Sequence, residues 1–144
     1  TVFKVMIRKA NESDIDWVMK LAQDQSLARW SMNEYLSSIN DENSLFLVYE
    51  FENDIQGLII FGISYDFMEI HQVIVNERNR NKGIASSLLL EGLSMNENKD
   101  VFLEVNEVNT KALSFYSKHG FEILSRRKNY YESNDALVMR KVME

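Results

Sequence analysis

Two side chains in the second half of the chain have positions that suit acid–base chemistry. Glu104 interrupts the apolar run from Val101 to Val105, and Tyr116 follows in a segment with helical spacing. A carboxylate in a half-buried strand is unfavourable unless it has a partner or a task. A carboxylate can take a proton from a nucleophile and a phenol can give one to a leaving group, so both side chains are candidates for acid–base chemistry. A salt bridge for Glu104 and a core position for Tyr116 would satisfy the same pattern.

A candidate anion site lies where a strand leads into a helix. The apolar residues up to Val75 are followed by the polar loop and helix start Arg80 to Ser86. The unpaired N–H groups and the positive dipole end of such a helix bind phosphate, and the small residues Gly83 and Ala85 leave room for a diphosphate. The spacing fits neither a Walker loop nor a dinucleotide-binding loop. The alternative is an ordinary loop with solvated basic side chains.

Composition restricts the kind of protein and of site. The 144 residues fit one domain, 1–144, and with 45% hydrophobic and 26% charged residues the chain is typical of a water-soluble globular protein. No apolar run approaches the length needed to cross a bilayer, and no secretory signal is visible, so we expect a cytoplasmic protein. The net charge of -6 disfavours nucleic acid and suits a basic partner.

Metal and thiol chemistry are not expected. The sequence has no cysteine, which excludes disulfides and cysteine nucleophiles, and only two histidines, His71 and His119. His71 lies in a strand, and His119 lies in the last turn of a helix before Gly120, where a cationic ring would complement the helix dipole. Both histidines are predicted to be structural, and no metal is predicted.

The elements that position these residues are predicted from periodicity and caps. Asn11 with Asp14, and Ser31 with Glu34, have the spacing of helix N-terminal caps, the second reinforced by a Trp30–Tyr35 hydrophobic staple. Turn residues and apolar periodicity give the remaining boundaries. The predicted strands are Phe3 to Arg8, Ser44 to Glu50, Ile55 to Ile63, Phe67 to Val75, Val101 to Val105, Phe121 to Tyr131 and Ala136 to Val142; the helices end near Gln23, Ile39, Met95 and His119. This order predicts a mixed α/β sheet covered by helices.

The segment Arg80 to Ser86, at the candidate anion site, resembles the Arg/Gln-x-x-Gly-x-Gly/Ala motif of the GNAT family of N-acetyltransferases. Arg80, Gly83 and Ala85 occupy the motif positions, and Ala85 stands where many members have glycine. The similarity continues through Leu103-Glu104-Val105, Asn109, Ala112-Leu113-x-Phe115-Tyr116 and Gly120-Phe121, and the segment from Arg126 to Met139 resembles the RimI branch, the ribosomal-protein-alanine N-acetyltransferases. The resemblance implies the GNAT fold and an acetyl-CoA-dependent N-acetyltransferase.

The same resemblance implies a role for each site residue. Glu104 would be the general base, acting through water, and Tyr116 the general acid that protonates the CoA sulfur. A backbone N–H near Val73 would stabilise the oxyanion. The backbone of Val73 and Val75 would hold the pantetheine and thioester, and Asn109 the CoA arm. The pyrophosphate would be cradled by Arg80, Asn81, Lys82, Gly83, Ile84, Ala85 and Ser86.

The resemblance implies an amine as acceptor, which is a peptide N-terminus, a lysine side chain or a small-molecule amine. At neutral pH about one α-amine in ten is uncharged but only about one lysine in two thousand, so a single carboxylate base suits an α-amine. The RimI-like segments around Trp30–Ser31, Arg126–Arg127 and Tyr130–Tyr131 imply the N-terminal alanine of a small-subunit ribosomal protein. The tyrosines could instead only pack a terminal strand. A small amine such as a polyamine or antibiotic, and a non-catalytic CoA-binding module, are the alternative functions.

Overall fold

The computed structural model describes residues 4–23, 29–80 and 82–143. The strands are β1 (Val5–Lys9), β2 (Ser44–Phe51), β3 (Asp54–Ile63), β4 (Phe67–Val75), β5 (Asp100–Asn106), β6 (Glu122–Tyr131) and β7 (Asn134–Lys141). The helices are α1 (Ile15–Ala22), α2 (Met32–Asn40), α3 (Ile84–Ser94) and α4 (Thr110–Lys118), with short 3-10 turns at Glu12–Asp14 and Glu77–Asn79. Within these described ranges no helix is long and apolar enough to cross a membrane.

Local capping signals start the first two helices where the sequence predicts them. The Asn11 side chain and Asp14 form a reciprocal capping box, although the first turn is a 3-10 turn and α1 begins after it. Ser31 and Glu34 form the second box, and the rings of Trp30 and Tyr35 lie 5.4 Å apart between centroids, which confirms the staple. These contacts satisfy backbone N–H groups that a helix start leaves unpaired.

The seven strands form one mixed sheet in the order β1-β2-β3-β4-β5-β7-β6. β2 pairs antiparallel with β1 and with β3, and β7 pairs antiparallel with β5 and with β6. β4 and β5 are parallel, registered from Phe67 with Asp100 to Glu69 with Phe102. The predicted boundaries of β4 match the structure at both ends, whereas β5 extends one residue beyond the prediction at each end and β7 begins two residues earlier, at Asn134.

The chain divides into two compact units, and the prediction of a single domain over 1–144 stays a prediction. The first unit contains Thr1–Ile63 and His71–Asn96. Its core cluster is formed by side chains of α1, α2 and the strands: Val18, Leu21, Ala22, Tyr35, Phe46, Val48, Ile55, Leu58, Ile60 and Ile74. Gly92 of α3 lies against Phe61, so close that a Cβ at Gly92 would be 2.2 Å from the ring.

The second unit contains Ser64–Ile70 and Glu97–Glu144. Its buried side chains come from β4, β5, α4, Phe121 and β7, with Leu103 opposite Met139 and Val105 opposite Leu137 in the register of β5 and β7. Gly120 follows α4 with φ of 87°, the left-handed conformation that the sequence predicts after this helix. By contrast, every residue of β6 is exposed.

Candidate functional site

The start of α3 is open and carries no side-chain cap. Gly83 is the N-cap residue with φ of 78°, a left-handed conformation that side chains rarely adopt. A Cβ built at Gly83 would meet no atom of the described residues within 4 Å, so the space beside Gly83 is open. The α-helical N–H groups of a first turn lack intrahelical partners, and an uncapped start therefore offers donors to an anion.

The flanking residues of this helix start divide into core and surface positions. Arg80 and Lys82 are exposed, with the Lys82 ammonium 3.4 Å from the Asn79 side-chain oxygen. The Ile84 side chain is buried, so only its backbone is available to a ligand, whereas Ala85 and Ser86 are half-buried. Asn81 lies outside the described residues, so its predicted contact with the pyrophosphate stays a prediction.

The carboxyl end of β4 leads into a cavity of about 360 Å³ in the first unit. Val73 and Val75 are half-buried and alternate with the buried Ile74, so their side chains lie on the opposite side of the strand from the core cluster. Val75 and Arg80 line this cavity together with Trp17 and Lys20 of α1, and the Lys20 ammonium lies 5.2 Å from the Trp17 ring centroid. The cavity brings together two of the predicted cofactor-binding residues.

Glu104 is on β5 at the rim of a mainly apolar pocket. The pocket has a volume of about 270 Å³, lies wholly in the second unit and is lined by Phe67, Glu69, Phe102, Leu103, Glu104, Arg127 and Val138. The Glu104 side chain is 28% exposed, and its Oε1 accepts a charged contact from the Arg127 guanidinium at 3.0 Å. The Glu104 carboxylate is therefore partly solvated and paired with a cation. The free-energy cost of burying an unpaired charge, which its place in an apolar run suggested, does not arise.

Tyr116 is buried in the aromatic interior of the second unit. Its ring packs edge-on against Phe115 and Phe121 at centroid distances of 5.1 and 5.5 Å, and it is 9% exposed. Burial raises the pKa of the Tyr116 phenol well above its ordinary value of 10, because the phenolate would be poorly solvated. The hydroxyl is therefore protonated throughout the physiological range and can act only as a proton donor.

Two other predicted positions take up roles at the ends of α4. Asn109 is the N-cap of α4, its side-chain oxygen accepting a hydrogen bond of 3.1 Å from the Ala112 N–H, and its predicted contact with CoA stays a prediction. His119, predicted to be structural, is the C-cap residue of α4. Burial, then the charges of Lys141 and Lys118, lower the pKa of His119, so its ring is uncharged near neutrality. Lys141 supplies the cation instead, donating to the His119 carbonyl at 2.7 Å.

The β6–β7 hairpin presents the tyrosines that were assigned to the acceptor side. Tyr130 is 55% exposed and Tyr131 37% exposed, so neither ring packs in a core. Burial and, to a smaller extent, the charge of Glu104 raise the pKa of the Tyr131 phenol. Arg126 holds the hairpin through contacts with Glu107 at 3.0 Å and Asp135 at 2.7 Å.

In the first unit, a chain of hydrogen bonds holds the segment before α2. The Trp30 N–H donates to the Tyr35 hydroxyl at 3.4 Å, and this hydroxyl donates to the buried Gln72 side chain at 2.7 Å. The Trp30 ring also lies 5.9 Å from the His71 ring, which agrees with a structural role for that histidine. Ser31 is occupied as the cap of α2.

Sequence reasoning missed the partners of these residues. The Tyr35–Gln72 hydrogen bond joins residues 37 positions apart, and a lone glutamine in the apolar run of β4 was the one available signal. Arg127 was assigned to the acceptor wall but not to Glu104. Phe67 and Phe102, whose rings meet edge-on at 5.7 Å in the apolar pocket, were assigned only to strands.

Comparison with known proteins identifies the family. The profile of the acetyltransferase (GNAT) family matches residues 13–121. An N-alpha-acetyltransferase of Saccharolobus solfataricus is 26% identical over 152 residues, covering 94% of this chain and 91% of the relative. The [ribosomal protein bS18]-alanine N-acetyltransferase of Haemophilus ducreyi is 26% identical over 133 residues, covering 90% and 91%. The crystal structure of Ard1 from Thermoplasma volcanium superimposes with a TM-score of 0.87 at 30% identity, covering 97% of this chain and 98% of that one.

The chain therefore belongs to the acetyltransferase (GNAT) family. This confirms the predicted family, the mixed α/β fold and the class of enzyme, an acetyl-CoA-dependent N-acetyltransferase.

Proposed function

We propose that this enzyme transfers the acetyl group of acetyl-CoA to the N-terminal α-amine of a protein, with Glu104 as general base. The observation that carries the proposal is the partly exposed Glu104 carboxylate at the rim of an apolar pocket. A base in this position can take a proton from an amine while the pocket accepts a short apolar side chain. The two relatives support an α-amine acceptor, since one is named an N-alpha-acetyltransferase and the other a ribosomal-protein-alanine N-acetyltransferase.

The reaction removes two protons from the acceptor ammonium nitrogen and supplies one proton to the CoA sulfur. Glu104 accepts the first proton from the ammonium, directly or through water, so that the neutral nitrogen attacks the acetyl carbonyl carbon. The new C–N bond forms, the C–S bond breaks, and the CoA sulfur leaves as a thiol with a proton from Tyr116. The nitrogen then loses its second proton, which restores the Tyr116 hydroxyl, and Glu104 releases the first proton to solvent, so the products are the acetylated amine, CoA and one proton. A backbone N–H near Val73 stabilises the oxyanion in this proposal.

Acetyl-CoA binding is assigned to the strand, loop and helix that begin at Val73. The uncapped start of α3 donates backbone N–H groups to the pyrophosphate, and the open space at Gly83 admits it without a steric clash. The exposed Arg80 and Lys82 contribute positive charge in a protein whose net charge is -6. The backbone of Val73 and Val75 holds the pantetheine, and Asn81, Ile84, Ala85, Ser86 and Asn109 complete the proposed set.

The N-terminal alanine of a small-subunit ribosomal protein is the acceptor that we propose within this class. The relative from Haemophilus ducreyi supports it by name, and the acidic character of the chain suits a basic partner. Such an acceptor implies a cytoplasmic enzyme. The α-amine also suits the single carboxylate, because about one α-amine in ten is already neutral at pH 7.

A thiol-release assay with four acceptors tests this proposal. We would compare a basic peptide that begins with alanine, the same peptide with a blocked N-terminus, a peptide that begins with methionine, and spermidine. Fast CoA release with the free alanine peptide, and an acetyl group located on the α-amine by mass spectrometry, is the expected result. Preference for spermidine, or acetylation of the blocked peptide on lysine, would contradict an α-amine acceptor.

A further inference from the structure

The proposed base is already engaged by a cation of the protein itself. The Nη2 atom of Arg127 lies 3.0 Å from Oε1 of Glu104, with the arginine side chain 58% exposed and the glutamate 28% exposed. The same guanidinium lies 5.8 Å from the centroid of the Tyr130 ring, which is itself largely exposed. Arg127 therefore contacts the carboxylate from a solvent-accessible position that also lines the pocket.

An ion pair with this exposure is weak and easily exchanged. Exposed arginine–carboxylate pairs shift an equilibrium by about fivefold at most, because water and salt screen both charges. The cation–π contact with Tyr130 adds little at an exposed site. Another cation that reaches the carboxylate from the pocket can displace the guanidinium at small cost.

The acceptor is a cation with the same hydrogen-bonding requirement. An ammonium group and a guanidinium group both donate N–H to a carboxylate oxygen at charge-assisted distances, so an ammonium that binds at Oε1 takes the place of the guanidinium there. The apolar side of the pocket, formed by Phe67, Phe102 and Val138, lies next to this carboxylate and can take the side chain that follows the ammonium. An acceptor whose ammonium binds at Oε1 therefore displaces Arg127 from that oxygen.

We propose that Arg127 is a specificity-determining residue, a displaceable cap whose guanidinium occupies the position that the acceptor ammonium takes on Glu104. This inference rests on the proposed role of Glu104 as base. An acceptor that carries an ammonium group displaces the cap by forming the same contact. An uncharged group such as a hydroxyl offers no equivalent contact, so the cap stays in place and the base stays covered.

Three variants separate a displaceable cap from a structural arginine. Arg127→Gln removes the charge, Arg127→Lys keeps it, and Lys118→Gln removes an exposed cation elsewhere in the second unit as a matched control. With the alanine-starting peptide, Arg127→Gln is expected to lower the acceptor KM about two- to fivefold and to leave the acetyl-CoA KM unchanged. Arg127→Lys and Lys118→Gln are expected to keep the wild-type acceptor KM. An acceptor KM that is unchanged or raised in Arg127→Gln would overturn the proposal, a rise meaning that Arg127 binds the acceptor.

Ethylguanidinium provides an independent probe of the same position. It is expected to inhibit Arg127→Gln competitively against the peptide, and to inhibit the wild-type enzyme less, since the wild type supplies its own guanidinium. Equal inhibition of both enzymes would overturn the proposal. Glu104→Gln shows which of the two proposals fails. Undiminished turnover in Glu104→Gln would contradict Glu104 as the base. If Glu104→Gln loses turnover but Arg127→Gln keeps the wild-type acceptor KM, only the role of Arg127 is contradicted.

Discussion

Replacement of Tyr116 by phenylalanine isolates the chemistry of one hydroxyl. The ring of Tyr116 packs edge-on against Phe115 and Phe121, and these contacts involve the ring and not the oxygen. Tyr116→Phe keeps the ring volume and removes only the proton donor. The variant is therefore expected to fold, and a change in turnover reports on proton donation.

The expected magnitude follows from the acidity of the buried phenol. A thiol has an ordinary pKa near 8.5 and a phenol near 10, so complete proton transfer from tyrosine to a free thiolate is unfavourable by about 2 kcal/mol even before burial. Burial raises the pKa of Tyr116 further. Proton transfer from Tyr116 to the sulfur is consequently incomplete when the C–S bond breaks, which places the loss in kcat near the lower end of general-acid effects, about 10²-fold or 2.7 kcal/mol.

The assay for this variant separates chemistry from binding. Thiol release from acetyl-CoA gives kcat, and calorimetry gives the Kd of acetyl-CoA, which is expected to stay within about twofold of the wild-type value. Tyr65→Phe is the matched control, since Tyr65 is 94% exposed and has no proposed role. A kcat for Tyr116→Phe within twofold of the wild type would refute the assignment of Tyr116 as the acid.

Three further predictions concern stability and cofactor binding. Tyr116 keeps its proton in the folded state above pH 10, whereas the unfolded chain loses it. The contribution of Tyr116 to the free energy of unfolding is therefore complete below pH 10 and declines above it by up to about 1.4 kcal/mol per pH unit. In urea unfolding between pH 9 and 11, the free energy of unfolding should decline less steeply for Tyr116→Phe than for the wild type, and an identical decline would contradict the burial argument. Gly83→Val places a branched side chain at a residue with left-handed backbone conformation, in the open space at the start of α3. It should raise the acetyl-CoA Kd by about tenfold or more. An unchanged Kd in calorimetry would contradict a phosphate site at Gly83. Gly92→Ala improves helix propensity by about 1 kcal/mol, but its methyl group would clash with the Phe61 ring. Thermal unfolding should therefore show a net loss of stability of about 1–2 kcal/mol. A stabilised variant would contradict the close packing of α3 on β3.

Local signals predicted most of the elements because they act within a few residues. The Ser31–Glu34 capping box and the glycine after α4 are both found where the sequence places them, since each depends on the backbone of its own segment. The hairpin between β2 and β3 turns at Glu52 and Asn53, both with positive φ, as expected for an asparagine-containing turn. The β5 boundaries were less accurate because Asp100 and Asn106 pair through partners on other strands.

The chemistry of the site depends on contacts that no local pattern contains. The sequence indicated Glu104 as an unusual carboxylate, but β6 supplies its partner Arg127, and strand pairing alone determines which residues of β6 reach β5. The cation at the end of α4 could not be predicted for the same reason, because it is Lys141 from β7 that donates to the His119 carbonyl. Motif spacing nominates the candidate residues, whereas their partners depend on the tertiary structure.

The most direct test of the account is the turnover of Glu104→Gln with acetyl-CoA and the alanine-starting peptide, with the Kd of acetyl-CoA measured on the same preparation. Glutamine keeps the shape of the side chain but cannot accept the proton. If Glu104 is the general base, kcat falls by about 10²-fold or more while the acetyl-CoA Kd stays within about twofold of the wild-type value. Undiminished turnover at wild-type acetyl-CoA affinity would contradict it.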